Sequence, residues 1–107
     1  MQGIALRFYM HENRRHHGLL LYEWLLEKAK AMGIHGGSAF RAIAGYGRHG
    51  LMHEQHFFEL AGDVPVVVEF IVTDDEARHL LELAQRENVH GFYTKTTVEF
   101  GTLNGGR

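Results

Sequence analysis

The chain has 107 residues, 45% of them hydrophobic and 22% charged, with a formal net charge of −2. That length and mix fit one globular domain spanning 1–107 and give no strong field to attract nucleic acid or an anionic membrane. There is no cysteine, which removes disulfides and thiolate chemistry and suits a reducing, cytoplasmic setting.

At the start, Met1-Gln2-Gly3-Ile4 has neither the basic opening nor the apolar stretch of a signal peptide, and no later run nears the ~20 apolar residues of a membrane helix. Ile4, Leu6, Phe8 and Met10 alternate with Ala5, Arg7 and Tyr9, which predicts a strand. Residues 11–17 are polar and read as a loop. From 18 to 32 the spacing turns helical: Leu21, Leu25, Ala29 and Met32 share one stripe, with Glu23, Glu27 and Lys30 opposite. Gly33 suits a left-handed stop, and Ile34 can fold back on the last turn.

Gly36-Gly37 predicts a turn, and 38–45 a second strand, with Phe40, Ala42 and Ala44 on one side and Arg41 and Ile43 on the other. Residues 46–63 have no clean period and read as a long functional loop, with a short strand near Phe57, Phe58 and Leu60. Residues 64–72 are rich in β-branched side chains and give the clearest strand. Thr73-Asp74-Asp75-Glu76 then matches a capping box. Ala77, Leu80, Leu81 and Ala84 mark a second amphipathic helix, and residues 93–100 a last strand.

The resulting order, βαββαβ, predicts an α+β fold of the ferredoxin-like type: a four-stranded antiparallel sheet with two helices on one face. The other face, by alternation, carries Ala5, Arg7, Tyr9, Arg41, Ile43, Val67, Glu69, Ile71, Thr97 and Glu99. An apolar field with embedded opposite charges suits an oligomer interface with internal ion pairs better than open solvent.

Chemistry-bearing motifs are few. Gly45-Tyr46-Gly47-Arg48-His49-Gly50 lies where a strand gives way to the long loop. Glycines there let backbone N–H groups approach an anion, and Arg48 adds a forked cationic donor. His49, His53 and His56 recur at intervals that place them on one side of a helix, and imidazole is a ligand for zinc or copper. Otherwise they are solvated loop histidines, as His11, His16 and His17 near Glu12 are read to be. Arg14 and Arg15 read as solvated loop charges, and Trp24 as a packing residue. Ser38, the only serine, has no nucleophile motif around it, and Glu12, Glu54 and Glu59 have no spacing that demands acid–base chemistry. The chain reads as non-catalytic.

The glycine-aromatic-glycine-arginine run at 45–48 resembles the opening of the T-loop of PII signal-transduction proteins. Residues 66–75, VVVEFIVTDD, resemble the third PII strand and its entry into the second helix. A closer resemblance is to the PII-like domain of unknown function 190 family. It rests on Leu6-Arg7-Phe8-Tyr9-Met10, Glu12, Gly18, Leu21-Tyr22, Leu25-Leu26, Gly33-Ile34-His35-Gly36-Gly37, Ala44-Gly45-Tyr46-Gly47 and Val64-Pro65-Val66-Val67-Val68, over roughly residues 4–100.

The resemblance implies a regulatory homotrimer that binds an adenine nucleotide between subunits. Gly45, Tyr46, Gly47, Arg48, His49 and Gly91 would form the site, and the loop 48–63 would meet a protein partner. Two departures stand out. Asn88-Val89-His90-Gly91-Phe92 replaces the glycine- and lysine-rich PII loop, leaving Gly91 as the phosphate neighbour on that side. Residues 48–63 contain no tyrosine to serve as a modification site. The alternative reading is a metal-binding trimer using His49, His53 and His56, similar in architecture to the trimeric copper-tolerance proteins.

Overall fold

The structure is a computed structural model and describes residues 1–45 and 64–105. Its elements are β1 (Gln2–His11), β2 (Arg15–His16), β3 (Leu19–Leu20), α1 (Leu21–Ala31), β4 (Gly37–Arg41), β5 (Pro65–Val72), α2 (Asp74–Arg86) and β6 (Phe92–Glu99). β4-β5-β1-β6 form one antiparallel sheet, the order expected of a ferredoxin-like fold. The strand anticipated near 57–60 lies outside the described residues.

The alternation in β1 and β5 sends Leu6, Phe8, Met10, Val66, Val68, Phe70 and Val72 to one side, where Leu21, Trp24, Leu25 and Ala29 of α1 and Ala77 and Leu80 of α2 close the core. α2 starts on the expected capping box: Thr73 Oγ1 accepts from Glu76 N at 3.0 Å, and Glu76 Oε1 accepts from Thr73 N at 2.9 Å. Both helices end in Schellman motifs. Gly33 (φ 89°) follows α1, and Ile34 N reaches back to Ala29 O at 3.1 Å. Asn88 (φ 61°) follows α2, and Val89 N reaches Ala84 O at 2.9 Å. Among the described residues no helix is long and apolar enough to cross a membrane.

Four expectations are corrected. α1 begins at Leu21 rather than near 18, because residues 15–20 pair as a two-stranded hairpin in place of the polar loop and first helical turn. Gly37 belongs to β4 rather than to a turn, and β4 ends at Arg41. The side assignments of β4 and β6 are inverted. Residues opposite one another in an antiparallel pair share a face, and the register sets Phe40 against Val67 and Thr94 against Arg7. The uncovered face therefore carries Phe40, Phe92, Thr94, Thr96 and Val98 beside Arg7, Glu69 and Ile71. Arg41, Thr97 and Glu99 stand on the helix side, with Arg41 opposite Val66 and Thr97 opposite Ile4.

Gly37 has a packing role. A Cβ there would stand 2.4 Å from Cε1 and 2.6 Å from Cδ1 of Phe70, a ring only 1% exposed. Gly37→Ala is expected to lower stability by about 1–3 kcal/mol, the usual cost of overpacking a tight core. A denaturant titration that gives the same midpoint as the parent would show that β4 lifts off Phe70 freely.

Candidate functional site

β1, β4, β5 and β6 bring four chain segments to one end of the sheet. The register aligns Arg41 with Val66, Val66 with Met10, and Tyr9 with Phe92. The residues after β4 and those before β6 therefore emerge at the same end, on opposite edges. At the normal strand spacing three steps across the sheet come to about 14 Å.

On the β6 edge this end holds a cleft of about 320 Å³ between the sheet and the two helices. Aromatic residues of the helix side line much of it, among them Phe8, Trp24 and Tyr93, together with Arg14 and Gln85. On the uncovered face at the same end, Tyr9 and Phe92 lie side by side with ring centroids 5.3 Å apart. Gly91 is in the wall. A Cβ on it would meet Arg14 Nη1 and Tyr9 O at 3.6 Å, ordinary contact, so the guanidinium of Arg14 already covers the backbone there. Arg14 is held by its own backbone: its N donates to His11 O at 3.2 Å, and its O accepts from Leu21 N at 2.7 Å. Sequence reasoning read Arg14 as a solvated charge. Its position opposite the residues before β6 becomes visible only once the β2–β3 hairpin is known.

Of the residues expected to bind a phosphate, Gly91 is in this cleft, and Gly45 follows four residues after the end of β4 at the other edge of the sheet. Gly45 has φ 155°, a conformation that residues with a Cβ rarely adopt. Tyr46, Gly47, Arg48 and His49 lie outside the described residues, as do His53 and His56 of the alternative metal reading.

The uncovered face carries Arg7 Nε bonded to Glu69 Oε2 at 2.7 Å, in an apolar field where Phe40, Ile71 and Phe92 are 54%, 44% and 42% exposed. Arg41, expected on this face, instead bonds Glu12, and that carboxylate holds its guanidinium even more firmly protonated than usual.

A second polar cluster was not anticipated in this form. His16 and His17 were read as solvated beside Glu12, but both face Glu87 at the end of α2. His17 Nε2 is 3.0 Å and His16 Nε2 3.2 Å from Glu87 Oε1. Hydrogen bonding to His17, then to His16, pulls the Glu87 carboxyl below its ordinary range. The two imidazoles pack at 4.2 Å, and His16 meets Trp24 edge-on at 4.4 Å.

Residues 3–100 match the model of the DUF190 family, described as uncharacterized ACR, COG1993. A UPF0166 protein of Aquifex aeolicus is 36% identical over 94 residues, covering 88% of this chain and 89% of that protein. Among solved structures, CPII of Thiomonas intermedia bound to ADP and bicarbonate matches with a TM-score of 0.64 at 22% identity, over 94% of this chain and 90% of that one. A second structure of CPII, a nitrogen regulatory PII-like protein bound to ADP, AMP and bicarbonate, gives 0.60 at 17% identity, over 94% of each chain. The chain belongs to the DUF190 family, and it has the fold of PII-like proteins.

Proposed function

We propose that this DUF190 chain is a regulatory protein rather than an enzyme, and that it binds an adenine nucleotide between the subunits of a homotrimer. The observation that carries the reading is the placement of the end of β4 at Arg41, which leads into Gly45, and of Gly91 at one end of the sheet but on opposite edges. The strands that lead to the two glycines stand about 14 Å apart in one chain, which favours a cradle shared between subunits. Gly45 to His49 of one subunit, laid against the Gly91 edge of the next, would form it.

The cleft beside Gly91 supplies the other half of the argument. Its volume of about 320 Å³ is at the lower end of the range for small-molecule sites. It presents aromatic surface for a base and, in Arg14, a cation for a phosphate. Arg48 would add the second charge from the neighbouring subunit. CPII, with the same fold, is bound to ADP and bicarbonate, which makes that pair the first ligands to try. The loop 48–63 would present the liganded state to a protein partner in the cytoplasm. Nothing in the composition calls for nucleic acid or a membrane.

Calorimetry with AMP, ADP and ATP, each with and without bicarbonate, tests the reading. Arg48→Ala should weaken nucleotide binding by about 1.5–3 kcal/mol, roughly ten- to hundredfold, without changing the mass of the assembly. If no nucleotide binds below about 1 mM, or if binding is unchanged in both Arg48→Ala and Gly47→Val, the site is wrongly assigned.

A further inference from the structure

We propose that His16, His17 and Glu87 form a binding site for a divalent transition metal of the zinc class. The site is separate from the nucleotide site and from the histidines of the long loop. It requires only described residues of a single chain.

Three features converge on it. The first is the backbone of the β2–β3 hairpin. Consecutive residues of a strand point to opposite sides, so His16 and His17 would ordinarily diverge. The loop between Arg15–His16 and Leu19–Leu20 is two residues long, and both have positive φ, 53° at His17 and 80° at Gly18. That is the pattern of a type I′ turn, which favours asparagine or glycine at its first position. A histidine held there costs about 1–3 kcal/mol of backbone strain. In return its ring comes back beside that of His16.

The second feature is the acid. Glu87 is the C-cap of α2, where the helix macrodipole presents its negative end and a carboxylate is disfavoured. A cation bound at the carboxylate would remove that penalty. The third is the geometry. One oxygen, Glu87 Oε1, lies 3.0 and 3.2 Å from the two Nε2 atoms, and the three candidate ligand atoms all fall within 4.8 Å of one another. Zinc bonds to nitrogen and oxygen of about 2.0–2.2 Å give tetrahedral edges of roughly 3.3–3.6 Å. The two edges to Glu87 Oε1 are therefore within a few tenths of an ångström of what the ion needs, and the edge between the two imidazoles is at most 4.8 Å, within reach of a side-chain rotation.

The donor set selects the metal. Two imidazoles and one carboxylate, with no sulfur, suit Zn²⁺ and its neighbours rather than Cu⁺, Mg²⁺ or Ca²⁺. Three protein ligands leave a fourth position for water or an incoming ligand. His16 is the anchored member, its ring edge-on to the buried Trp24. His17 is mostly exposed and Glu87 partly so, which leaves the ion an entry path. A metal here would clamp the hairpin to the end of α2. Trp24, which His16 touches, also lines the aromatic cleft, so the clamp would steady one wall of it.

The test uses tag-free, chelator-treated full-length protein. Zn²⁺ is followed by calorimetry, and Co²⁺ by its visible absorption and by quenching of Trp24, the only tryptophan in the chain. One equivalent of Zn²⁺ should bind and raise the melting temperature. His17→Gly keeps the turn and relieves its strain, so its fold is not at risk. It should nonetheless weaken binding by at least the roughly 10–100-fold that loss of a mere outer-shell partner costs, as should Glu87→Gln. A triple His49→Ala, His53→Ala, His56→Ala variant should bind as the parent does. Zn²⁺ binding weaker than about 1 mM, binding that survives both His17→Gly and Glu87→Gln, or binding lost in the loop triple would each overturn the assignment.

Discussion

Phe70→Ala is expected to cost about 3–5 kcal/mol, a large part of the 5–15 kcal/mol that holds a typical domain together. Phe70 lies in β5 and is 1% exposed. It meets Phe8 edge-on at 6.3 Å and 78°, and Gly37 of β4 lies against its other side. One ring thus joins β1 to the edge strand over which the chain passes toward the long loop. Removing it leaves a cavity that β4 can fill only by sagging inward. Unfolding should be followed in urea at one fixed protein concentration, because assembly would add to apparent stability. A loss below about 1 kcal/mol would mean that the core collapses around the gap. A smaller ring pocket should also soften the clash at Gly37, so Gly37→Ala should cost less in a Phe70→Leu background than alone.

The sequence was most legible where a period ran long against a constant environment. β1 was readable because Leu6, Phe8 and Met10 are core and Arg7 and Tyr9 between them are not, and β5 because a strand with a core face is dense in β-branched residues. α2 announced itself through Thr73 and Glu76, since a capping box is local chemistry that tertiary packing has no reason to override. β6 was placed to within one residue, but its facing was inverted. Tyr93, Thr94, Lys95, Thr96 and Thr97 carry no hydrophobic alternation, so only the pairing of Arg7 with Thr94 fixes which side is which. β4 misled for a different reason: Phe40 looks like a core residue, but on this edge strand it is turned away from the helices.

The candidate cleft drew one glycine from the sequence and none of its neighbours. Gly91 was singled out through the resemblance to the PII loop before the last strand, and it lines the cleft. Arg14 was not, because its approach depends on a hairpin of two-residue strands too short to show a period. The meeting of His16 and His17 with Glu87 joins residues about 70 positions apart. No spacing rule reaches that far. The one local hint was His17-Gly18, a histidine where a type I′ turn wants asparagine.

Glu69→Arg should break the proposed homotrimer while leaving each subunit folded. In a single chain the Arg7–Glu69 pair is only partly buried, at 39% and 26% exposure, and a pair that open contributes little. Covered by a neighbouring subunit it would be another matter, because removing one partner of a buried pair costs about 3–5 kcal/mol. Reversal goes further, since it sets a second guanidinium against Arg7. The surroundings favour burial: Phe40, Ile71 and Phe92 are exposed on the same face. Thr94, opposite Arg7 in the register, has a buried Oγ1 with no hydrogen-bond partner among the described residues, as expected of a hydroxyl whose partner belongs to another subunit. Light scattering should find three times the 12.2 kDa chain mass for the parent and a single chain mass for Glu69→Arg, with unchanged far-UV circular dichroism. The double reversal Arg7→Glu, Glu69→Arg restores the pair with its sense exchanged and should recover much of the assembly. A parent that scatters as one chain would remove the trimer altogether. An assembly indifferent to Glu69→Arg would mean that the subunits meet through a different surface.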